Sequence, residues 1–435
     1  MKGNNYLFFL LIGKIINRLS SFSGVGLTFP VMCCLKYPQN PIFQNLKNQS
    51  LITRTVWTLS LVSLFTDMAS EMLYPVMPVF LKSIGFSVLL IGLLEGIAEG
   101  TAGISKGYFG KRSDAIGKRV PFVQLGYALS AISKPLMAVS VFPLWIFIAR
   151  TTDRLGKGIR TGARDAILSA EATPATKARV FGLHRAFDTA GAFIGPTLAL
   201  VFLYFYPDHY KTLFLVAFIP GVVSIFLTLL LKEPKTAMVE KKQFTFFSFL
   251  SYWREAPASY RKLVAGLLFF TLINSSDVFL LLKVKEAGLS DPMVIGVYIF
   301  YNLVYAVFSY PAGMLADRWG LKNTLVLGLF LFAMVYTGMS FSGNLWWFGI
   351  LFLLYGIYAA CTESIAKAWI TNICAPNDTA TAVGSFTAFQ SIFSLMASVL
   401  AGWIWYSWGA ASLFLITGAL AFFVSLYFIG LKTKA

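Results

Sequence analysis

Seven charged residues crowd one apolar stretch of this chain: Arg150, Asp153, Arg154, Lys157, Arg160, Arg164 and Asp165 all stand between residues 143 and 168. An ion at the centre of a bilayer costs roughly 3 kcal/mol or more, so such groups face one another, a bundle interior or water. His184, Arg185 and Asp188 form a second cluster, and Asp67 and Glu71 a third, one helical turn apart and therefore on one face. Two carboxylates in a partly dry cavity resist ionising together, so one of them is expected to hold a proton, which is what a proton carrier requires. Asp67 and Glu71 are the expected carriers, with Asp188 in reserve. The competing reading has arginines from the other two clusters neutralise them.

Glu95 and Glu99 repeat the one-turn spacing, either lining a cavity or balancing Lys106 and Lys134. In the two basic clusters the permanent cations Arg150, Arg154, Lys157, Arg160 and Arg185 outnumber the carboxylates. That excess suits an anionic group on a substrate; a static network with the glutamates is the alternative. His184 is either a helix contact or part of the coupling chemistry. Later in the chain the chemistry thins to Asn274, Asp277 and the pair Glu363 and Lys367, whose i, i+4 spacing suits internal neutralisation.

The elements that position these groups are membrane helices. With 57% hydrophobic residues, 41 phenylalanines and only 13% charged residues, the chain carries more apolar side chain than a soluble core can hide. Spans of about 20 residues suffice for the hydrocarbon core, and twelve are expected near 57–82, 87–109, 120–141, 143–168, 179–205, 211–231, 261–283, 292–315, 322–341, 345–371, 380–406 and 409–431. Spans 4 and 10 are the most polar. Pro75 and Pro78 should bend span 1 just past its carboxylates. The chain divides into an N-terminal extension (1–55), a bundle (56–231), a linker (232–260) and a second bundle (261–431). In the linker, Phe244, Phe246, Phe247 and Phe249 suggest a segment lying on the membrane surface.

A formal charge of +17 accompanies no soluble basic domain, so nucleic acid is not the expected partner. Lys and Arg concentrate in the connections after spans 2, 4, 6 and 8, whereas the other side offers Lys82, Lys211, Lys283 and Lys285. The positive-inside rule puts both termini and the linker in the cytoplasm. Cys33, Cys34, Cys361 and Cys374 lack metal-ligand spacing, Gly156-Lys157-Gly158 lacks the spacing of a phosphate loop, and no nucleophile-base set is visible. No enzyme, cofactor or metal is expected.

Internal symmetry organises the whole. Gly110, Asp114 and Gly117-Lys118-Arg119 after span 2 recur after span 8 as Gly313, Asp317-Arg318 and Gly320, while Gly85 and Ser87 recur as Gly288 and Ser290 at the same offset. Pro174, Gly182 and Ala186-Phe187-Asp188 return as Pro376, Gly384 and Ala388-Phe389-Gln390. The loop pattern G-x-x-x-D-(R)-x-G-(R/K)-(R/K) resembles the signature of the major facilitator superfamily; the second copy matches it, and the first has Ala115 in place of Arg. In span 5, Gly182, Gly191, Gly195 and Pro196 fit G-x8-G-x3-G-P, which resembles the antiporter motif of proton-coupled drug and metabolite exporters, although Ala199 and Leu200 replace its trailing glycines.

That resemblance implies an all-α fold of two six-helix bundles in parallel repeat around a midplane cavity. It implies a secondary transporter working by alternating access, with the loop motifs as a conformational latch and the span 5 glycines as packing surfaces. Proton-coupled export of a small organic molecule by a monomer in a bacterial cytoplasmic membrane is the expected activity. Uptake or exchange of an organic anion is the alternative, and a non-transporting sensor or scaffold is the alternative from another class.

Overall fold

The computed structural model describes residues 52–74, 76–233, 248–341 and 344–431, and every regular element among them is helical. Helices are what lipid allows, because each satisfies its own backbone hydrogen bonds. Almost all of the expected extension, and Phe244, Phe246 and Phe247, lie outside the described residues.

Span 1 is two helices, α1 (Arg54–Glu71) and α2 (Met77–Ser83). Spans 2 to 6 follow as α3 (Val88–Ile116), α4 (Val120–Val139), α5 (Pro143–Ala170), α6 (Lys177–Phe205) and α7 (Tyr210–Thr228). Span 7 is again two helices, α8 (Ala258–Ile273) and α9 (Val278–Glu286). After α10 (Asp291–Trp319), α11 (Leu321–Met339) and α12 (Leu345–Ile373), spans 11 and 12 run as one element, α13 (Thr379–Gly430). It folds back at Gly409, whose φ of 84° only glycine adopts without cost.

Local chemistry sets the ends. Thr53 Oγ1 caps α1, Ser87 Oγ caps α3 and Asn344 Oδ1 caps α12 through backbone amides three residues on. The Glu233 carboxylate receives the Arg119 and Val120 amides at 2.6 and 2.9 Å, so the start of the linker caps α4. Gly117 and Gly320, repeat mates, end α3 and α10 with φ of 71° and 100°.

Eight helical stretches are long and apolar enough to cross a membrane, Pro376–Gly430 counting as one although it holds two spans. Span 1, α3 and α5 are not among them. Span 10, read as one of the most polar, passes as α12.

The halves meet along two crossing pairs, α3 with α13 and α6 with α10. At Gly110 an added Cβ would stand 2.4 Å from Ala380 O, and at Gly182 2.6 Å from Ser309 O. Such backbone-to-backbone approach exists only because side chains are missing on both sides. Along the same face of α3, Gly96 and Gly100 have nothing within 4 Å. The halves diverge there, away from the loop-motif end. The linker differs too: Phe249 is buried against Gly107, and its carbonyl accepts from Ser385 Oγ at 2.9 Å, so this residue wedges into the seam instead of lying on lipid.

Candidate functional site

The seam is closed at one end by the two loop motifs. Asp114 Oδ2 accepts from Thr381 N and Oγ1 at 2.7 and 2.9 Å, capping the first turn of α13 across the seam. Arg119 holds Asp114 Oδ1 at 3.2 Å and also donates to Pro376 O at 3.0 Å. Asp317 mirrors this on α6, accepting from the amides of Ala178 and Arg179 at 3.1 and 3.3 Å and from Arg179 Nε at 2.7 Å. A carboxylate at a helix N-terminus pairs with orphan amides and the positive end of the dipole. Each half thus caps a helix of the other. Lys177 to Thr371 O (2.7 Å) and Asn372 to Pro174 O (3.1 Å) add bonds at the same end. Among the described residues, Lys118 and Arg318 make no hydrogen bond or ion pair with the opposite half; they stand beside the two carboxylate caps.

Away from this end a cavity opens between the halves. One lobe, about 500 Å³, is bordered by Glu99, Lys106, Asn274, Asp277, Glu363 and Lys367. A second, about 600 Å³, is bordered by Glu71, Glu99, Arg154, Lys157, Asp277 and Tyr298, and reaches Tyr74 and Tyr210 toward the end opposite the latch. Glu99, Ser276 and Asp277 border both. The breaks in spans 1 and 7 fall at corresponding levels of the two halves, so Glu71 ends α1 and Asn274 to Asp277 fill the gap between α8 and α9. Broken helices at matching positions expose backbone and place polar side chains at the midplane of a repeat-built bundle.

The charges sort into three sets. In the first, Lys134 reaches Asp153 Oδ1 at 2.6 Å and Ser70 at 3.0 Å, and Arg150 reaches Asp153 Oδ2 at 3.7 Å; Arg160 donates to Ser130 at 2.6 Å and stands 4.4 Å from the Tyr127 ring. These groups are buried inside the first half and hold α4 on α5. Lys134 therefore balances Asp153, not Glu99. Glu99 pairs instead with Arg154 at 3.1 Å on the cavity wall. Glu95 is on α3, but its side chain is outside the described set.

In the second set, pairs cross the seam. Arg185 Nη2 meets Glu363 at 2.5 Å while its Nη1 meets Asp188 at 2.8 Å and its Nε donates to Tyr305 at 2.5 Å. Lys367 meets Asp165 at 2.9 Å, and Arg164 shares that carboxylate at 2.9 Å. Internal neutralisation of Glu363 by Lys367 is thus corrected: Glu363 reaches across to half-buried Arg185 on α6 and Lys367 to buried Asp165 on α5, partners that spacing along one helix cannot reveal.

The third set is a carboxyl pair. Asp67 and Asp188 stand side by side where α1 packs on α6, and Ser63 donates to Asp188 Oδ1. Two ionised carboxylates at such a contact repel, so a proton on one of them stabilises the pair. Glu71, expected to pair with Asp67, instead faces the cavity near Lys157 and Arg154. His184 is buried beside Asp165 and Asp188, and its Nε2 has no hydrogen-bond partner among the described residues. Gly191 and Gly195 seat α6 on α1, whose Leu64 and Met68 carbonyls would lie 2.5 and 2.6 Å from an added Cβ; Pro196 borders the second lobe. Gly182 belongs to the seam.

Residue types alone concealed a tyrosine cluster. Tyr301 lies 5.0 Å from Tyr355 and 6.0 Å from Tyr305 between ring centres, and Tyr355 lies 5.2 Å from Tyr358. Tyr355 donates to Asp277 at 2.7 Å and Asn274 to Tyr358 at 3.1 Å. Their spacing in α10 and α12, three or four residues apart, was the available signal.

Comparison with known proteins agrees with this architecture. A family model described as Major Facilitator Superfamily matches residues 59–302 and 264–434. An uncharacterised MFS-type transporter of Methanocaldococcus jannaschii is 33% identical, over 85% of this chain and 93% of the relative. An uncharacterised protein of Mycobacterium bovis is 25% identical over 81% of this chain and 87% of its own length. Among solved structures, the human organic anion transporter MFSD10 (TETRAN) superposes with a TM-score of 0.72 at 16% identity, covering 86% of this chain and 99% of that one. The Escherichia coli fucose:proton symporter FucP gives 0.69 at 13% identity, covering 87% and 98%.

Proposed function

The chain belongs to the major facilitator superfamily and is a multi-pass membrane transporter, and from that premise we propose proton-coupled export of a small organic molecule by alternating access. The observation that carries the coupling is the juxtaposition of Asp67 and Asp188 beside Arg185, which Asp188 shares with Glu363 and Tyr305 across the seam. With the proton gone, two adjacent carboxylates compete for Arg185 and draw it into the first half. With the proton bound, Arg185 turns toward Glu363 and Tyr305, tying the halves together at that level. Proton load and seam closure are then one equilibrium, as coupling demands. Glu71, facing the cavity, is the second carboxylate of the pathway.

The latch end is placed in the cytoplasm, where the basic connections lie, so the cavity described here faces outward. Residues 56–231 and 261–431 are the rocking bodies of a carrier that works as a monomer. Export rests on the span 5 glycine pattern. The test is flux into everted vesicles under an imposed pH gradient, with Asp67→Asn and Asp188→Asn. Both should lose proton-driven flux and keep gradient-free counterflow; wild-type driven flux in both removes the coupling pair.

A second reading, uptake or exchange of an organic anion, is favoured by Lys106 and Lys157 on the cavity wall, and MFSD10 is described as an organic anion transporter. Counterflow with anionic and cationic probes separates the two.

A further inference from the structure

The two walls of the outer lobe carry unmatched charges of opposite sign. On the wall from the first half, Lys157 is exposed and its ammonium forms no ion pair or hydrogen bond among the described residues. Glu71 and Glu99 act on it through space only, and Glu99 is already paired with Arg154. On the wall from the second half, Asp277 stands in the break of span 7. One of its oxygens accepts from Tyr355, and among the described residues no cation reaches either; the charge acting on it is the like charge of Glu363. Tyr298 borders the same lobe, 6.3 Å from Tyr301, whose ring in turn lies 5.0 Å from that of Tyr355, tilted by 36°.

A carboxylate beside tyrosine faces and edges suits an organic ammonium, whereas an unpaired lysine suits a carboxylate. Lys157 and Asp277 border one space of about 600 Å³, a size typical of small-molecule sites. A molecule filling it touches both walls. We infer that the substrate is a small zwitterion, its carboxylate on Lys157 and its ammonium on Asp277 beside Tyr298. A ligand with both charges bridges the two halves and favours their closing at the open end, and a ligand with one charge leaves the opposite wall unmatched. The assignment rests on the carrier reading above.

The test compares zwitterions with single-charge counterparts on one scaffold, in purified full-length protein, by thermal stabilisation. Phenylalanine is set against phenethylamine and phenylpropionate, gamma-aminobutyrate against butylamine and butyrate, and glycine betaine against choline and acetate. At least one zwitterion should half-saturate at about tenfold lower concentration than both counterparts, the ratio expected for one charge-assisted hydrogen bond. Lys157→Gln should let the matching amine bind as well as the zwitterion, and Asp277→Asn should do the same for the matching carboxylate. Binding led by a singly charged probe, binding by none of the set, or variants that keep the wild-type preference would each overturn the inference. Counterflow in proteoliposomes separates the two readings. Flux of a singly charged probe sinks the zwitterion and keeps the carrier; a zwitterion that binds and never moves counts against the carrier itself.

Discussion

Two aspartates a few residues from arginines look alike in the chain and differ in what they support. Asp153 neutralises Lys134 and Arg150 inside the first half, with all three buried. Asp153→Asn leaves buried Lys134 without its counter-charge, a change that costs about 3 to 5 kcal/mol; the expected outcome is a large drop in detergent-solubilised folded protein by size exclusion. Asp188→Asn keeps a polar group for Ser63 and Arg185, so folded yield should stay near wild type while proton-driven flux is lost. Equal yields for both variants would contradict the division of roles. The sequence marked every one of these residues as interior, because charge in an apolar run is rare. It did not show who pairs with whom, because partner choice depends on the rotation of each helix about its axis and on neighbours from the other half. Glu363 and Lys367 illustrate the point: a good i, i+4 pair on paper, they are both taken by stronger partners on α6 and α5.

Elements carry a second level of information that repeats made legible. The Gly-Asp motif predicted a latch at the same end of both bundles, and the helices that receive the two aspartates, α13 and α6, are themselves repeat mates. The break in span 1 was signalled by prolines. The matching break in span 7 has none, and its signal was four successive polar residues, Asn274 to Asp277, within an apolar run. Close approach at Gly110 gives the latch a steric component that can be tested apart from its charges. Gly110→Ala places a Cβ 2.4 Å from Ala380 O, whereas Gly96→Ala meets nothing within 4 Å. Native Cys374, buried next to Thr379 at the latch end, reports the difference. With Cys33 and Cys34 changed to serine and Cys361 to alanine, maleimide should label Cys374 faster in Gly110→Ala than in Gly96→Ala, which should match the parent; equal rates in all three would mean that this contact does not hold the seam.

At the scale of the molecule, alternating access asks two rigid bundles to exchange one closed end for the other. The present arrangement spends its inter-half bonds unequally: among the described residues, carboxylate caps, the Lys177 and Asn372 bonds to carbonyls and the Phe249 wedge hold the latch end, and two ion pairs hold the middle, while the far end is open cavity. Opening the latch end requires the middle pairs to part as well, so weakening them should shift the population even though neither pair belongs to the latch. Removing the charge of both Glu363 and Lys367 frees Arg185 and Asp165 to settle within the first half, with Asp188 and Arg164 already at hand. If each severed pair is worth about 1 kcal/mol to the closed seam, the two together move the equilibrium roughly 30-fold. Spin labels placed on the latch ends of α3 and α13 should therefore show a longer-distance population in Glu363→Gln/Lys367→Gln that the parent lacks. The same double variant should also exchange substrate without a proton gradient while failing to concentrate it, since Arg185 no longer links proton load to the seam. An unchanged distance distribution would leave the latch as the sole gate and the midplane charges as scaffolding.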